Sequence, residues 1–170
     1  LPWVILRPTA VYGPREKDIF IVLQLVKKGL EPYIGRNSQW LSFIYVKDLV
    51  QITFDALKSS HVHTTYNISD GKKYNRYALA DITKRILKKK ALRLHLPMPI
   101  VNLVAAVMEI WYRNKASLPA LNKEKLTELT AENWHCSIKK AESELSFQPA
   151  YDLEKGLTET LQWYLKNKWI

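Results

Sequence analysis

Trp3-Val4-Ile5-Leu6-Arg7-Pro8-Thr9-Ala10-Val11-Tyr12-Gly13-Pro14-Arg15 is the stretch on which the reading of the fold turns. Its first half is an apolar run of strand length that stops at a proline. Tyr12-Gly13-Pro14 then reads as a turn. A buried strand leading through a turn into a helix is the opening of an α/β unit. The helix follows: Asp18 stands as a cap ahead of Phe20, Leu23 and Val26, and Gly29 occupies the place of a left-handed C-terminal residue.

Downstream the alternation continues. Residues 32–34 and 41–46 are short extended pieces separated by the turn-forming Gly35-Arg36-Asn37-Ser38. Asp48, with Gln51 three residues later, has the form of a capping box and opens a helix to about residue 58. Residues 64–69 alternate like a strand and stop at Asp70-Gly71. Asn75 caps a helix over 76–89, residues 92–96 form a strand ended by Pro97, and Pro99 starts a helix through Tyr112. Three more helical pieces begin at Asn122, Ser137 and Asp152. Short strands alternating with helices predict an α/β fold.

Composition narrows the function classes. At 170 residues and 47% hydrophobic the chain builds one domain with a core, and six Trp, nine Tyr and four Phe are too much apolar bulk for a solvated tail. The net charge of +10 invites a nucleic-acid partner, yet the basic residues are dispersed. The densest cluster (Lys84, Arg85, Lys88, Lys89, Lys90) shares its helix with Ile82, Ile86 and Leu87, the pattern of a solvated face. The longest apolar run, residues 100–110, contains Asn102 and Glu109 and is shorter than the roughly 18 residues of a membrane span. One cysteine, Cys136, precludes an internal disulfide and suits a reducing cytoplasm. His61, His63, His95 and His135 are scattered, so no metal site is expected. The apolar residues at Leu1 lack a basic leader, and Leu1 reads as a cut point within a longer protein.

Four stretches in order resemble the extended short-chain dehydrogenase/reductases, which include epimerases, dehydratases, dihydroflavonol reductases and 3β-hydroxysteroid dehydrogenases. They are Leu6-Arg7-Pro8-Thr9-Ala10-Val11-Tyr12-Gly13-Pro14-Arg15, Ser42-Phe43-Ile44-Tyr45-Val46-Lys47-Asp48-Leu49-Val50 and Tyr66-Asn67-Ile68-Ser69-Asp70-Gly71. The fourth runs from Glu144-Leu145-Ser146-Phe147-Gln148-Pro149 through Leu153-Glu154-Lys155-Gly156-Leu157 to Trp163-Tyr164.

The resemblance implies the C-terminal portion of a Rossmann-type NAD(P)-binding fold plus a small, mostly helical substrate-binding domain. Residues 1–170 are then the substrate-binding part, with the N-terminal cofactor-binding half absent. Rossmann-derived strands fall around 3–9 and 64–69, and substrate-domain elements at 30–46 and 91–170. The implied activity is hydride transfer at a hydroxyl or carbonyl carbon by an NAD- or NADP-dependent oxidoreductase or epimerase. Pro8 and Thr9 lie beside the cofactor, and Ala10, Tyr12, Arg15, Arg36 and Trp40 face the substrate. Asp48, Phe147 and Trp163 read as structural. Implied partners are a small-molecule substrate, the missing half and a second copy of the protein.

Other features limit that reading. With five glycines there is no G-x-x-G-x-x-G turn to cradle a pyrophosphate, so the isolated segment is expected to bind no cofactor and to carry no catalytic residue. Y-x-x-x-K occurs at Tyr151–Lys155 and Tyr164–Lys168, both after the Arg7-Pro8 strand, where the family places its catalytic pair before it. Both read as coincidence. Ala10 stands where nucleotide-sugar members carry Asn, and Gln39-Trp40-Leu41 where they carry Arg, which points toward the reductase and hydroxysteroid-dehydrogenase branch. A nucleoside-diphosphate-sugar epimerase or dehydratase, or a non-catalytic homologue, remains the alternative.

Overall fold

Apolar runs of strand length fold here into parallel pairs, joined through helices that cover them. The computed structural model describes residues 1–112 and 130–170, so the helix expected from Asn122 lies outside the described residues. The elements begin with β1 (Val4–Pro8), β2 (Ala10–Tyr12), α1 (Asp18–Lys27), β3 (Leu30–Ile34), β4 (Trp40–Leu41) and β5 (Phe43–Tyr45). Next come α2 (Val46–Lys58), β6 (Thr64–Ile68), β7 (Tyr74–Asn75) and α3 (Ala78–Leu87). β8 (Leu92–Leu96), α4 (Met98–Tyr112), α5 (Lys139–Leu145) and α6 (Leu153–Lys166) complete the set.

β1 pairs in parallel with β6 from Val4↔Thr64 to Pro8↔Ile68, and β2 pairs in parallel with β5 from Ala10↔Phe43 to Tyr12↔Tyr45. β3 and β8 form a third parallel pair, and β4 meets β7 antiparallel. The β3–β8 and β4–β7 pairs add strand structure at residues 30–34, 40–41, 74–75 and 92–96. β2 and β7 have no counterpart in the sequence reading, because three and two residues are too short to display a period.

Two cores meet at β5. Its side chains alternate, as a strand must, and all three are buried. Ile44 joins Ile52, Ala56, Tyr66, Ile68, Ile138, Ala141, Leu145 and Phe147, where α2 and α5 cover β6. Phe43 and Tyr45 join Tyr12, Leu23, Leu153, Leu157, Leu161 and Tyr164, where α1 and α6 close over β2. α6 comes close to β2 because Gly156 has no side chain: a Cβ there would lie 2.1 Å from the Tyr12 hydroxyl oxygen. Gly13, at φ 153°, is similarly required, since a Cβ would meet Val46 Cγ1 at 2.5 Å.

Three expected caps act differently. Glu16, not Asp18, caps α1, its carboxylate accepting from the Asp18 and Ile19 amides at 2.7 Å each. Asn75 accepts from the Tyr77 amide in a turn before α3, leaving Arg76 outside the helix. Asp48 lies inside α2, is buried, and accepts from the Ala150 and Tyr151 amides at 3.1 and 3.0 Å. It ties the entry to α6 onto α2. Gly29 follows α1 in the left-handed conformation expected of it, at φ 89°. Asp152, the expected start of the last helix, is its N-cap and accepts from the Lys155 amide.

The basic cluster on α3 is partly neutralised. Lys84 pairs with Glu31 and Asp81, and Arg85 with Glu154. Glu31 is buried on β3 and also holds Arg93 and the Tyr33 hydroxyl. One face remains uncovered. Trp3 and Ile5 around β1, and Val50, Phe54 and Leu57 along α2, all stand exposed.

Two stability measurements check these ties. Asp48→Ala strands two amides that now bond a carboxylate, and the expected loss is about 3 kcal/mol, read as a lower urea midpoint at unchanged slope. Asp48→Asn keeps one acceptor and should lose less. The Asp152 carboxyl is held below its usual range by the Lys155 amide and by Lys72. Its contribution is therefore present above the unfolded carboxyl range and lost as pH falls through the lowered folded value, so Asp152→Asn should flatten that part of the acid-stability curve.

Candidate functional site

At Thr9 the chain leaves one strand partner for another. The Thr9 amide and hydroxyl both donate to the Ile68 carbonyl, at 2.9 and 3.4 Å, while Ala10 already pairs with Phe43. The carboxyl ends of β1 and β6 lie at this change of partner, and the carboxyl ends of parallel strands are the position where such sheets bind ligands. Pro8 and Ala10 are exposed there and Thr9 is half-buried.

Beyond β6 lies a closed polar network. Asp70 accepts from the Tyr74 hydroxyl at 2.5 Å and the Lys72 amide at 3.0 Å, and Tyr74 accepts in turn from the Leu153 amide. Burial pushes the Asp70 carboxyl and the Tyr74 phenol up. Ser42 Oγ is 3.1 Å from both the Lys72 carbonyl and His135 Nδ1. The carbonyl can only accept, so the single hydroxyl proton goes to it and His135 donates to Oγ. That polarity is opposite to an activated serine nucleophile.

The remaining residues expected at the substrate divide between two places. Tyr12 is a correction: it is 1% exposed, its hydroxyl donates to the Asp152 carbonyl, and it is packed into the α6 core. Arg15, in a left-handed turn position, lays its guanidinium over the Trp163 ring of α6 at 5.8 Å. Arg36 and Trp40 lie apart from these. Arg36 is exposed in the turn after β3. Trp40 is bracketed by backbone bonds to Glu132 and Trp134, with Lys73 Nζ 4.1 Å above its ring.

Beside that turn is a cavity of about 320 Å³ whose wall includes Gly35, Asn37, Gln39, Arg76 and Met98. Sequence reading missed Arg76 by assigning it to a helix; the available signal was the Tyr74-Asn75-Arg76-Tyr77 run around the cap. The two Y-x-x-x-K pairs are committed elsewhere. The Lys155 ammonium lies over the Tyr151 ring and bonds the Ala150 carbonyl, and the Tyr164 hydroxyl is bonded to the Gly13 and Glu16 carbonyls. Among the described residues no group of three His, Cys, Asp or Glu is placed to hold a metal, and no helix is long and apolar enough to cross a membrane.

Parallel strand pairs joined through covering helices define a Rossmann-like α/β protein. Residues 1–69 match the NAD dependent epimerase/dehydratase family. An uncharacterized protein, YbjS of Escherichia coli K12, is 26% identical over 95% of this chain and 49% of its own length. UDP-glucose 4-epimerase of Thermotoga maritima, solved with UDP-glucose, superposes with a TM-score of 0.72 at 19% identity, covering 99% of this chain and 47% of that one. UDP-glucuronic acid 4-epimerase of Bacillus cereus, in complex with UDP-glucuronic acid and NAD, gives 0.69 at 21% identity, covering 98% and 46%. The chain thus spans about half the length of these proteins.

Cys136 sits half-buried beside Ser69 beyond the end of β6, and burial pushes its thiol up against the opposing Ser69 hydroxyl. Reaction with a disulfide reagent should be slower than that of a small free thiol. Its rate should keep rising with pH beyond the ordinary thiol value of about 8.5.

Proposed function

We propose that this chain is the substrate-binding part of an NAD(P)-dependent enzyme that transfers hydride at a hydroxyl- or carbonyl-bearing carbon. The observation that carries the reading is the change of strand partner at Thr9, which leaves Pro8 and Ala10 open at the carboxyl end of a parallel pair. Pro8 and Thr9 are the cofactor-facing residues in this reading, and Ala10 begins the substrate side. The chain's five glycines form no pyrophosphate cradle, so the cofactor's phosphates and the acid–base pair belong to a preceding half.

The uncovered face supports that assignment. Parallel strands are normally flanked and covered on both faces, yet Ile5 on β1 is 45% exposed, and Phe54 and Leu57 on α2 are 57% and 78% exposed. A preceding half would pair with β1 and pack on α2. Without it, a second copy has the same surface to use. A nucleoside-diphosphate-sugar substrate is the second reading. It is favoured by the fold shared with the UDP-sugar epimerases and opposed by Ala10 and Leu41, where an amide and a cation would be expected.

Two measurements test the proposal. Calorimetry on the 170-residue chain should give an NAD(P) dissociation constant weaker than about 10 μM, whereas a chain extended upstream should bind it and exchange hydride with a hydroxyl substrate. Failure of the extended protein to bind NAD(P) would falsify the enzymatic reading. Sedimentation of the 170-residue chain should reveal dimers or larger species. A monomer over a wide concentration range would mean that the uncovered face needs no partner.

A further inference from the structure

Two arginines share one pair of tyrosine rings, and only one of them has counter-ions. Arg93 lies 4.0 Å from the Tyr77 ring centre and 5.9 Å from that of Tyr33, and its charge is met by Glu31 and Asp81 at 2.9 Å. Arg76 lies 5.1 Å from the Tyr33 ring centre and 5.8 Å from that of Tyr77. It is 9% exposed, and no carboxylate among the described residues pairs with it. Its Nη1 donates to the Asn37 carbonyl at 2.6 Å and its Nη2 to the Ile34 carbonyl at 2.8 Å. The buried Nε has no partner among the described residues.

A guanidinium stays charged inside a protein, so burial cannot be relieved by losing a proton. Neutral carbonyls and ring faces return only part of its lost hydration. Arg76 also lines the cavity of about 320 Å³, together with Asn37, Ser38 and Gln39. The two carbonyl bonds fix the plane of the guanidinium and leave one N–H on each Nη, with the buried Nε–H, still able to donate.

We propose that Arg76 anchors an oxyanion subsite in this cavity and takes the phosphate or carboxylate group of a small-molecule ligand. Phe43 is in register with Ala10, and only β4 and Ser42 separate it from Gln39 in the cavity wall. At strand rise that path is roughly 13 Å. A ligand spanning it carries its anion at the end opposite its reacting carbon. The inference deepens the reading above and rests on it only in treating this ligand as the substrate.

The test is a titration of the 170-residue chain with inorganic phosphate, methyl phosphate and acetate at constant ionic strength, following the arginine Nε–H resonances. Arg76 should shift saturably while Arg93, already paired, stays in place. The stronger of the phosphate and acetate arms identifies the group. Arg76→Lys retains the charge but loses the fork, and it should weaken binding by about tenfold or more. The wild-type titration stands by itself if that variant fails to fold. An unmoved Arg76 signal up to roughly 50 mM of each anion, the range of a weak subsite, overturns the proposal. Equal shifts at Arg76 and exposed Arg85 overturn it too, because they report diffuse screening. Unimpaired binding by Arg76→Lys excludes the fork. Saturable binding in a protein that proves inert toward NAD(P) would sink the hydride reading and leave this site standing.

Discussion

A three-residue strand buried on both faces is the constraint around which the described structure is arranged. Phe43 and Tyr45 point into one core and Ile44 into the other, so the helices on either side are fixed relative to β5. The consequence is steric as well as hydrophobic. β2 must lie beside β5, α6 must pass over β2, and a glycine at 156 is the only residue that leaves room for the Tyr12 hydroxyl. A core so closely packed tolerates little change in volume. Asp48 adds a polar tie at the same junction by holding the amides that lead into α6.

The change of strand partner at Thr9 lies beside that junction. β1 and β2 are nearly continuous in sequence, yet they pair with different strands, and the break at Thr9 leaves exposed backbone at a carboxyl end. Polar groups beyond β6 are bonded to one another. Asp70, Tyr74 and the Leu153 amide form a chain, and Ser42 is held between a carbonyl and His135. Such a network fixes the local shape and provides no free nucleophile. The cavity beside Arg76 differs in kind, because its buried guanidinium keeps an unpartnered N–H among the described residues.

Similarity to epimerases at 17–21% identity establishes the shared fold and leaves substrate choice to individual side chains. A site can exchange one polar contact for another while its supporting strands remain in register, because the strands are held by their own ladders and cores.

The sequence by itself determined the α/β class, the parallel strands at β1 and β6, and the helices from α1 to α6 within a few residues. Apolar period and turn residues act locally, and a local signal survives without the rest of the chain. The four stretches resembling dehydrogenases and epimerases were legible for the same reason, as were Pro8, Thr9 and Ala10 at a strand end. Only the tertiary structure decided what Asp48, Tyr12 and Arg76 do. Asp48 looked like a cap because capping is judged from neighbours in sequence, whereas its amide partners are about a hundred residues away. Tyr12 looked accessible beside a turn until α6 covered it. Arg76 stood as the first residue of the helix expected over 76–89. Its burial depends on the Tyr33 and Tyr77 rings, the Ile34 carbonyl at the end of β3 and the Asn37 carbonyl of the turn beyond it, which no short stretch of sequence encodes.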